Sequence, residues 1–223
     1  MVNILPVASG KGGVGKTSLS MNLAILLAQK NKKVILADFD FGGANLHTLL
    51  GLKNNHAGLG NFIYKQENSF DTLLQDTGIE GLRFIAGDCL LPGTANLGFF
   101  AKNKIIKEIQ KSDADYFILD LGAGSAYNTL DFFLLTHNSI LVSTPEITSI
   151  LNAYSFLKSA AFRFFTRQFK AKSPERSLIQ EFIAASGAGA ETSFVELVQK
   201  ICMEFPETGE KAAQEMKKFR PQV

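Results

Sequence analysis

Gly10-Lys11-Gly12-Gly13-Val14-Gly15-Lys16-Thr17 decides the reading of this chain. The stretch fits the pattern G-x-x-x-x-G-K-[ST] of a phosphate-binding loop. An apolar run, Ile4-Leu5-Pro6-Val7-Ala8, precedes it, and a helical pattern begins at Leu19. Strand, glycine loop and helix in that order are the context the pattern requires. The glycines let the backbone wrap and turn its N–H groups toward one centre. The following helix adds uncapped N–H groups and the positive end of its dipole. Gly10 to Thr17 together with Ser18 form the candidate nucleotide site. Lys16 is expected at the β- and γ-phosphates and Thr17 at Mg²⁺.

Outward from the loop, the chain alternates apolar runs and helical patterns. Leu19, Leu23, Leu26 and Leu27 share one helical face. Val34-Ile35-Leu36-Ala37 reads as a strand covered on both sides. It enters Asp38-Phe39-Asp40-Phe41-Gly42-Gly43-Ala44-Asn45, which places carboxylates at the carboxyl end of a strand, where parallel sheets bind ligands. Residues 45–52 suggest a short helix, 53–81 a loop with a helix near Phe70, and Leu82 to Gly87 a strand. Further strands are expected at Tyr116–Asp120 and Ser139–Ser143, with helices over 102–111, 128–135 and 149–169. The alternation predicts an α/β fold: a mainly parallel sheet with helices on both faces, the three-layer P-loop NTPase arrangement. Residues 170–218 hold helical patterns and no convincing buried strand, and read as a C-terminal helical insertion. Phe219 to Val223 looks like the first step of another strand. We therefore expect residues 1–223 to form one domain that lacks its last C-terminal strands.

The totals exclude several classes. The formal net charge is +2, so no global electrostatic case for nucleic acid exists. Cys89 and Cys202 form no C-x-x-C, which gives neither a zinc signature nor a disulfide framework and suggests cytosolic thiols. No signal peptide or run of transmembrane length is read. His47, His56 and His137 lack ligand spacing and read as surface or turn residues.

Three carboxylates complete the site. Asp120 closes a buried strand before Leu121-Gly122-Ala123-Gly124 and would hold Mg²⁺ directly or through water. Gly122 and Gly124 allow the backbone to approach a γ-phosphate and to move when it is lost. Asp38 and Asp40 are read as pointing to opposite faces of a continuing strand, one toward metal-bound water and one toward the nucleophile. Asn45 is expected to help position that water or the metal shell.

Lys11 distinguishes this loop, because the general pattern does not require lysine there. K-G-G-V-G-K-T resembles the deviant Walker A motif of the MinD/ParA ATPases. The resemblance extends in order through D-F-D-F-G-G-A-N, L-D-L-G-A-G and T-P-E-I-T-S-I-L-N-A-Y, over most of residues 1–158. In wording, D-x-G-A-G at 120–124 looks more like the FleN/FlhG branch than cell-division MinD. The resemblance implies ATP and Mg²⁺ as ligands, with ATP rather than GTP inferred from the family alone. It implies a homodimer formed with ATP, in which Lys11 crosses to the partner's phosphates, and hydrolysis with Asp40 on the attacking water. It also implies an unidentified protein partner and a cytoplasmic location. Peripheral attachment to the inner membrane face would need a C-terminal helix beyond residue 223. A DNA-partition ATPase and a metallocofactor carrier of the Mrp or nitrogenase-iron-protein-like branch are the alternatives. A binding scaffold with negligible hydrolysis is a third.

Phe162-Arg163-Phe164-Phe165-Thr166-Arg167-Gln168-Phe169-Lys170-Ala171-Lys172 sets an aromatic face against a basic one. We read it first as the end of a core-packing helix with a solvated basic edge. A protein partner comes second, and membrane or nucleic acid third.

Overall fold

The structure is a computed structural model that describes residues 2–41, 43–53, 56–67, 69–87, 97–186 and 193–223, with the side chain of Ser186 excepted. Cys89 and Gly42 lie outside those residues. Six strands, β1 (Asn3–Ser9), β2 (Val34–Phe39), β3 (Gln75–Asp76), β4 (Leu82–Ile85), β5 (Tyr116–Ala123) and β6 (Ile140–Val142), form one sheet in the order β3-β4-β2-β5-β1-β6. All neighbours pair in parallel except β3 with β4, which is antiparallel. The sequence reading missed β3, a two-residue edge strand too short to carry a periodicity. It follows a 3-10 turn at Phe70–Leu73, where a helix was expected. A short helix, α3 (Leu59–Ile63), also stands where a loop is expected.

Alternation along the strands sorts the core into two layers. On one face, Phe117, Leu119 and Leu121 of β5 join Ile35, Ala37 and Phe39 of β2. They pack under α4 (Phe99–Lys111), α5 (Tyr127–Phe133) and α6 (Ile147–Thr166) through Ile105, Ile109, Phe132, Phe133 and Phe156. On the other face, Ile118, Val34, Leu36 and Phe84 pack against α1 (Lys16–Gln29) and the four-residue α2 (Leu46–Leu49). The mainly parallel sheet with helices on both sides is thus as expected.

Helix α1 corrects one detail. Its buried residues are Lys16, Ser20, Ala24 and Ala28, whereas Leu19 and Leu26 are exposed. Small side chains at four-residue spacing let α1 lie close to the sheet. The leucines flank that seam, with Leu23 and Leu27 partly buried.

Beyond α6 come α7 (Pro174–Ser186), α8 (Phe194–Glu204) and α9 (Pro206–Met216), with their own core of Phe165, Phe169, Leu178, Ile179, Leu197, Ile201 and Ala212. The aromatic face of the basic stretch is built into that core: Phe162 and Phe165 both contact Phe194 edge-on. The core-packing reading holds. At the chain's end, Gln222 bridges Ile140 of β6 in parallel, with Gln222 N donating to Ser139 O and Leu141 N donating to Gln222 O, both at 2.8 Å. This is the strand step expected there. No helix among the described residues is long and apolar enough to cross a membrane.

Candidate nucleotide site

β1, β2 and β5 end side by side, and the loops leaving them enclose a cavity of about 360 Å³. Gly12, Gly13, Gly15, Lys16, Thr17, Ser18, Asp38, Asp40, Asn45 and Asp120 all line it. Gly13 and Gly15 take left-handed backbone (φ 80° and 87°), which side-chain-bearing residues rarely adopt. Gly15 is the N-cap of α1 and no side chain caps the helix, so the amides of its first turn remain available to an anion.

The basic and acidic halves meet at Asp120. Lys16 Nζ lies 2.9 Å from Asp120 Oδ1, with both side chains buried, and also reaches Thr17 Oγ1 at 3.3 Å. Ser20 Oγ donates to the same carboxylate oxygen at 2.9 Å. Sequence reasoning missed Ser20, although it stands one turn after Lys16 on the same helical face.

Asp38 is buried one strand away, in register with Asp120. It accepts hydrogen bonds from Asp40 N (3.0 Å) and Leu46 N (3.1 Å). Burial raises its pKa. The two amides oppose that rise, and the charges of Asp120 and Asp40 add to it, leaving the group at about 6. The expectation that Asp38 and Asp40 point to opposite faces is wrong. Residues two apart on an extended strand share a face, β2 stops at Phe39, and both line the cavity. Asp40 sits against Gly122, where an added Cβ would be 3.2 Å from Oδ1. Asn45, exposed at the start of α2, lines the cavity as well.

Five predicted residues stand outside the lining: Gly122, placed against Asp40, and Val14, Gly124, Gly10 and Lys11. Val14 is half-buried in the loop. Gly124, left-handed at φ 81°, donates its N–H to Ser9 O at 2.9 Å. Gly10 lies against α6, where a Cβ would come 2.3 Å from Asn152 O. Lys11 turns toward the same helix, with Nζ 3.3 Å from Glu146 Oε2 and 3.1 Å from Thr148 Oγ1. Glu146 and Thr148 belong to the T-P-E-I-T motif, in which local pattern assigns neither a role. Ser9, Gly43 and Ala123 also line the cavity and were not foreseen. Ser9 Oγ is buried without a hydrogen-bond partner, an orphaned polar atom facing a polar cavity.

The residues present suit a magnesium nucleotide. Asp38, Asp120 and the Thr17 hydroxyl are hard oxygen donors, and Asp38 carries the electrostatic strain of a second buried carboxylate. The glycine loop and uncapped helix end suit phosphate. Fold and site together define a P-loop NTPase.

Comparison with known proteins gives the family. The ParA family model, described as the NUBPL iron-transfer P-loop NTPase family, matches residues 1–162. The chain belongs to this ParA/MinD family. It is 33% identical over 151 residues to the septum site-determining protein MinD of Helicobacter pylori, covering 67% of this chain and 56% of that protein. It is 32% identical to the antiactivator FleN of Pseudomonas aeruginosa over 159 residues (70% and 56%). The flagellum site-determining protein YlxH of Helicobacter pylori is also 32% identical, over 163 residues (69% and 52%). Among solved structures it resembles MinD complexed with Mg-ADP from Pyrococcus horikoshii, at 26% identity and TM-score 0.57, covering 72% of this chain and 66% of that one. The MinC:MinD complex of Aquifex aeolicus gives 28% and 0.61, covering 70% and 62%. The chain spans a little over half the length of these curated relatives. Helices α7–α9 lie after the range the family model matches.

Proposed function

We propose that this chain carries an ATP-dependent dimerisation switch that positions or regulates a protein partner, as MinD- and FleN-type site-determining ATPases would. The observation that carries the reading is Lys11. It belongs to the phosphate loop yet stays out of the cavity its neighbours line, tethered to Glu146 and Thr148 at the rim. A lysine so placed suits phosphates presented by a second copy. Beside it, α6 exposes Ile147, Ile150, Leu151 and Tyr154, an apolar stripe at helical spacing that supports association on this side.

Within each copy, Lys16 and the loop amides bind the β- and γ-phosphates, and Lys16 exchanges its Asp120 contact for them. Asp120, Asp38 and Thr17 would hold Mg²⁺, which supplies charge neutralisation on the phosphates. Asp40 accepts the proton of the attacking water, with Asn45 orienting that water. Loss of the γ-phosphate releases the Gly122–Gly124 segment and the dimer opens. In this reading residues 1–223 form a single ATPase domain, α7–α9 are a helical insertion, and the adenine-contacting strands belong to a longer protein.

Gel filtration of the full-length gene product with ATP tests the proposal. Asp40→Ala should accumulate as a dimer and Lys11→Ala should stay monomeric, while both bind nucleotide. An Asp40→Ala protein that remains monomeric with ATP bound overturns it. The iron-transfer description of the family model motivates a metal-carrier reading. Among the described residues no group of three or more His, Cys, Asp or Glu is placed to hold a metal ion. Iron and nickel analysis of anaerobically purified protein decides that branch.

A further inference from the structure

A second cavity, of about 570 Å³, opens between α5, α6 and α7, away from the phosphate site. Its floor is apolar: Leu130 and Ile179 are buried at 3% and 1% exposure. Its charge is one-sided. Lys158, Arg163 and Arg176 line it, and no acidic side chain does so among the described residues. The carboxylate beside it, Asp131, is already shared by Lys102, Arg163 and Arg167. Arg176 Nε donates to Thr166 O at 3.2 Å, which fixes the guanidinium at the groove. Exposed Lys158 has no hydrogen bond or ion pair among the described residues. Burial draws the Arg167 guanidinium below its ordinary value; Asp131 opposes this, and the neighbouring Arg163 and Arg176 charges add to it. Cations crowded against an apolar floor with one shared counter-ion leave a local excess of positive charge.

We infer that this groove docks an acidic peptide segment of a partner protein, with a large apolar side chain on the Leu130–Ile179 floor and carboxylates on Lys158 and Arg176. A membrane fits poorly, because insertion needs a protruding apolar face, whereas the Leu130–Ile179 floor is recessed and only Ile183 and Tyr127 stand out beside it. Nucleic acid fits poorly too. Arg163 already covers one face of the Tyr127 ring, its guanidinium carbon 4.8 Å from the centroid, which leaves a single face for one base where strand binding uses several stacking platforms.

The groove also touches the nucleotide machinery. Ser125, which lines it, follows Gly124 directly, and Tyr127 begins α5. An occupant therefore bears on the segment that leaves β5, and its affinity should depend on nucleotide. That dependence rests on the switch reading above, whereas the docking does not.

Fluorescence anisotropy tests both. The probe is a labelled peptide in which glutamates flank a leucine–phenylalanine pair, titrated with the full chain. Saturable binding that weakens with salt is expected, falling roughly ten-fold in Lys158→Glu and in Ile183→Asp, both exposed positions. The same peptide with lysines for glutamates should not bind. Absence of saturable binding, or binding unchanged in both variants, overturns the proposal. So does preferential binding of phosphatidylglycerol vesicles or a single-stranded oligonucleotide that the same variants abolish. Lys16→Ala separates the two claims: it should keep peptide affinity but lose its response to ATP. If ATP leaves the affinity of the unmodified chain unchanged, the coupling fails and the docking stands.

Discussion

Asp38 and Asp120 are register partners on adjacent parallel strands, and both carboxylates face one cavity. Lys16 and Ser20 serve Asp120, whereas two backbone amides serve Asp38. Two buried carboxylates in register are a cost to the nucleotide-free fold, one that a cation between them would offset.

The cost is readable as a pH dependence. Asp38 titrates at about 6 in the folded chain against 3.8 ordinarily. Between those values the folded state binds more protons than the unfolded one, so stability falls as pH rises. The full difference is about 3 kcal/mol. The unfolding free energy of nucleotide-free protein, from urea titrations, should therefore decline by about 2 kcal/mol from pH 4 to 6. Asp38→Asn should remove this part of the slope. A slope identical in Asp38→Asn would assign it to other groups.

Ser20→Ala should destabilise the chain by about 1.5–3 kcal/mol, the value of a hydrogen bond to a charged acceptor. The hydroxyl donates to Asp120 from a fully buried position. Chemical denaturation measures the effect, and an unchanged midpoint would mean that Asp120 is satisfied without it.

Gly10→Ala sets a methyl group 2.3 Å from the Asn152 carbonyl oxygen, a helix backbone atom that cannot swing aside. The loop and α6 must separate, at a cost above about 2 kcal/mol. Thermal unfolding should show the loss, and affinity for a fluorescent ATP analogue should fall with it. Gly12→Ala is the control for stability, since nothing lies within 4 Å of its added Cβ.

Asp131→Ala should cost about 2–3 kcal/mol, because Lys102 and Arg163 are partly buried and lose their counter-ion. Asp131→Asn keeps the shape but not the charge. It should recover little, which denaturation of the two variants side by side would reveal.

The sheet and most of the site were legible because parallel strands covered on both faces write themselves as continuous apolar runs. Glycines and carboxylates at their ends then had one place to go. β2 and β5 were found this way, and with them Asp38, Asp40 and Asp120. The seam of α1 was misplaced because leucine pattern marks a hydrophobic face, while close packing on a sheet selects for small residues. Ser20, Glu146 and Thr148 were missed for a related reason. Their roles come from long-range contacts with Asp120 and Lys11, 100 or more residues away in sequence, and no local periodicity records such distances. The faces of Asp38 and Asp40 were misassigned by treating a two-residue offset as a change of side.

Helix α6 has twenty residues and is therefore about 30 Å long. One end holds Lys11 through Glu146 and Thr148 and abuts Gly10. The other is rooted by Phe165 in the α7–α9 core. The phosphate loop and the helical module thus share a single continuous beam, anchored in each by side chains at opposite ends.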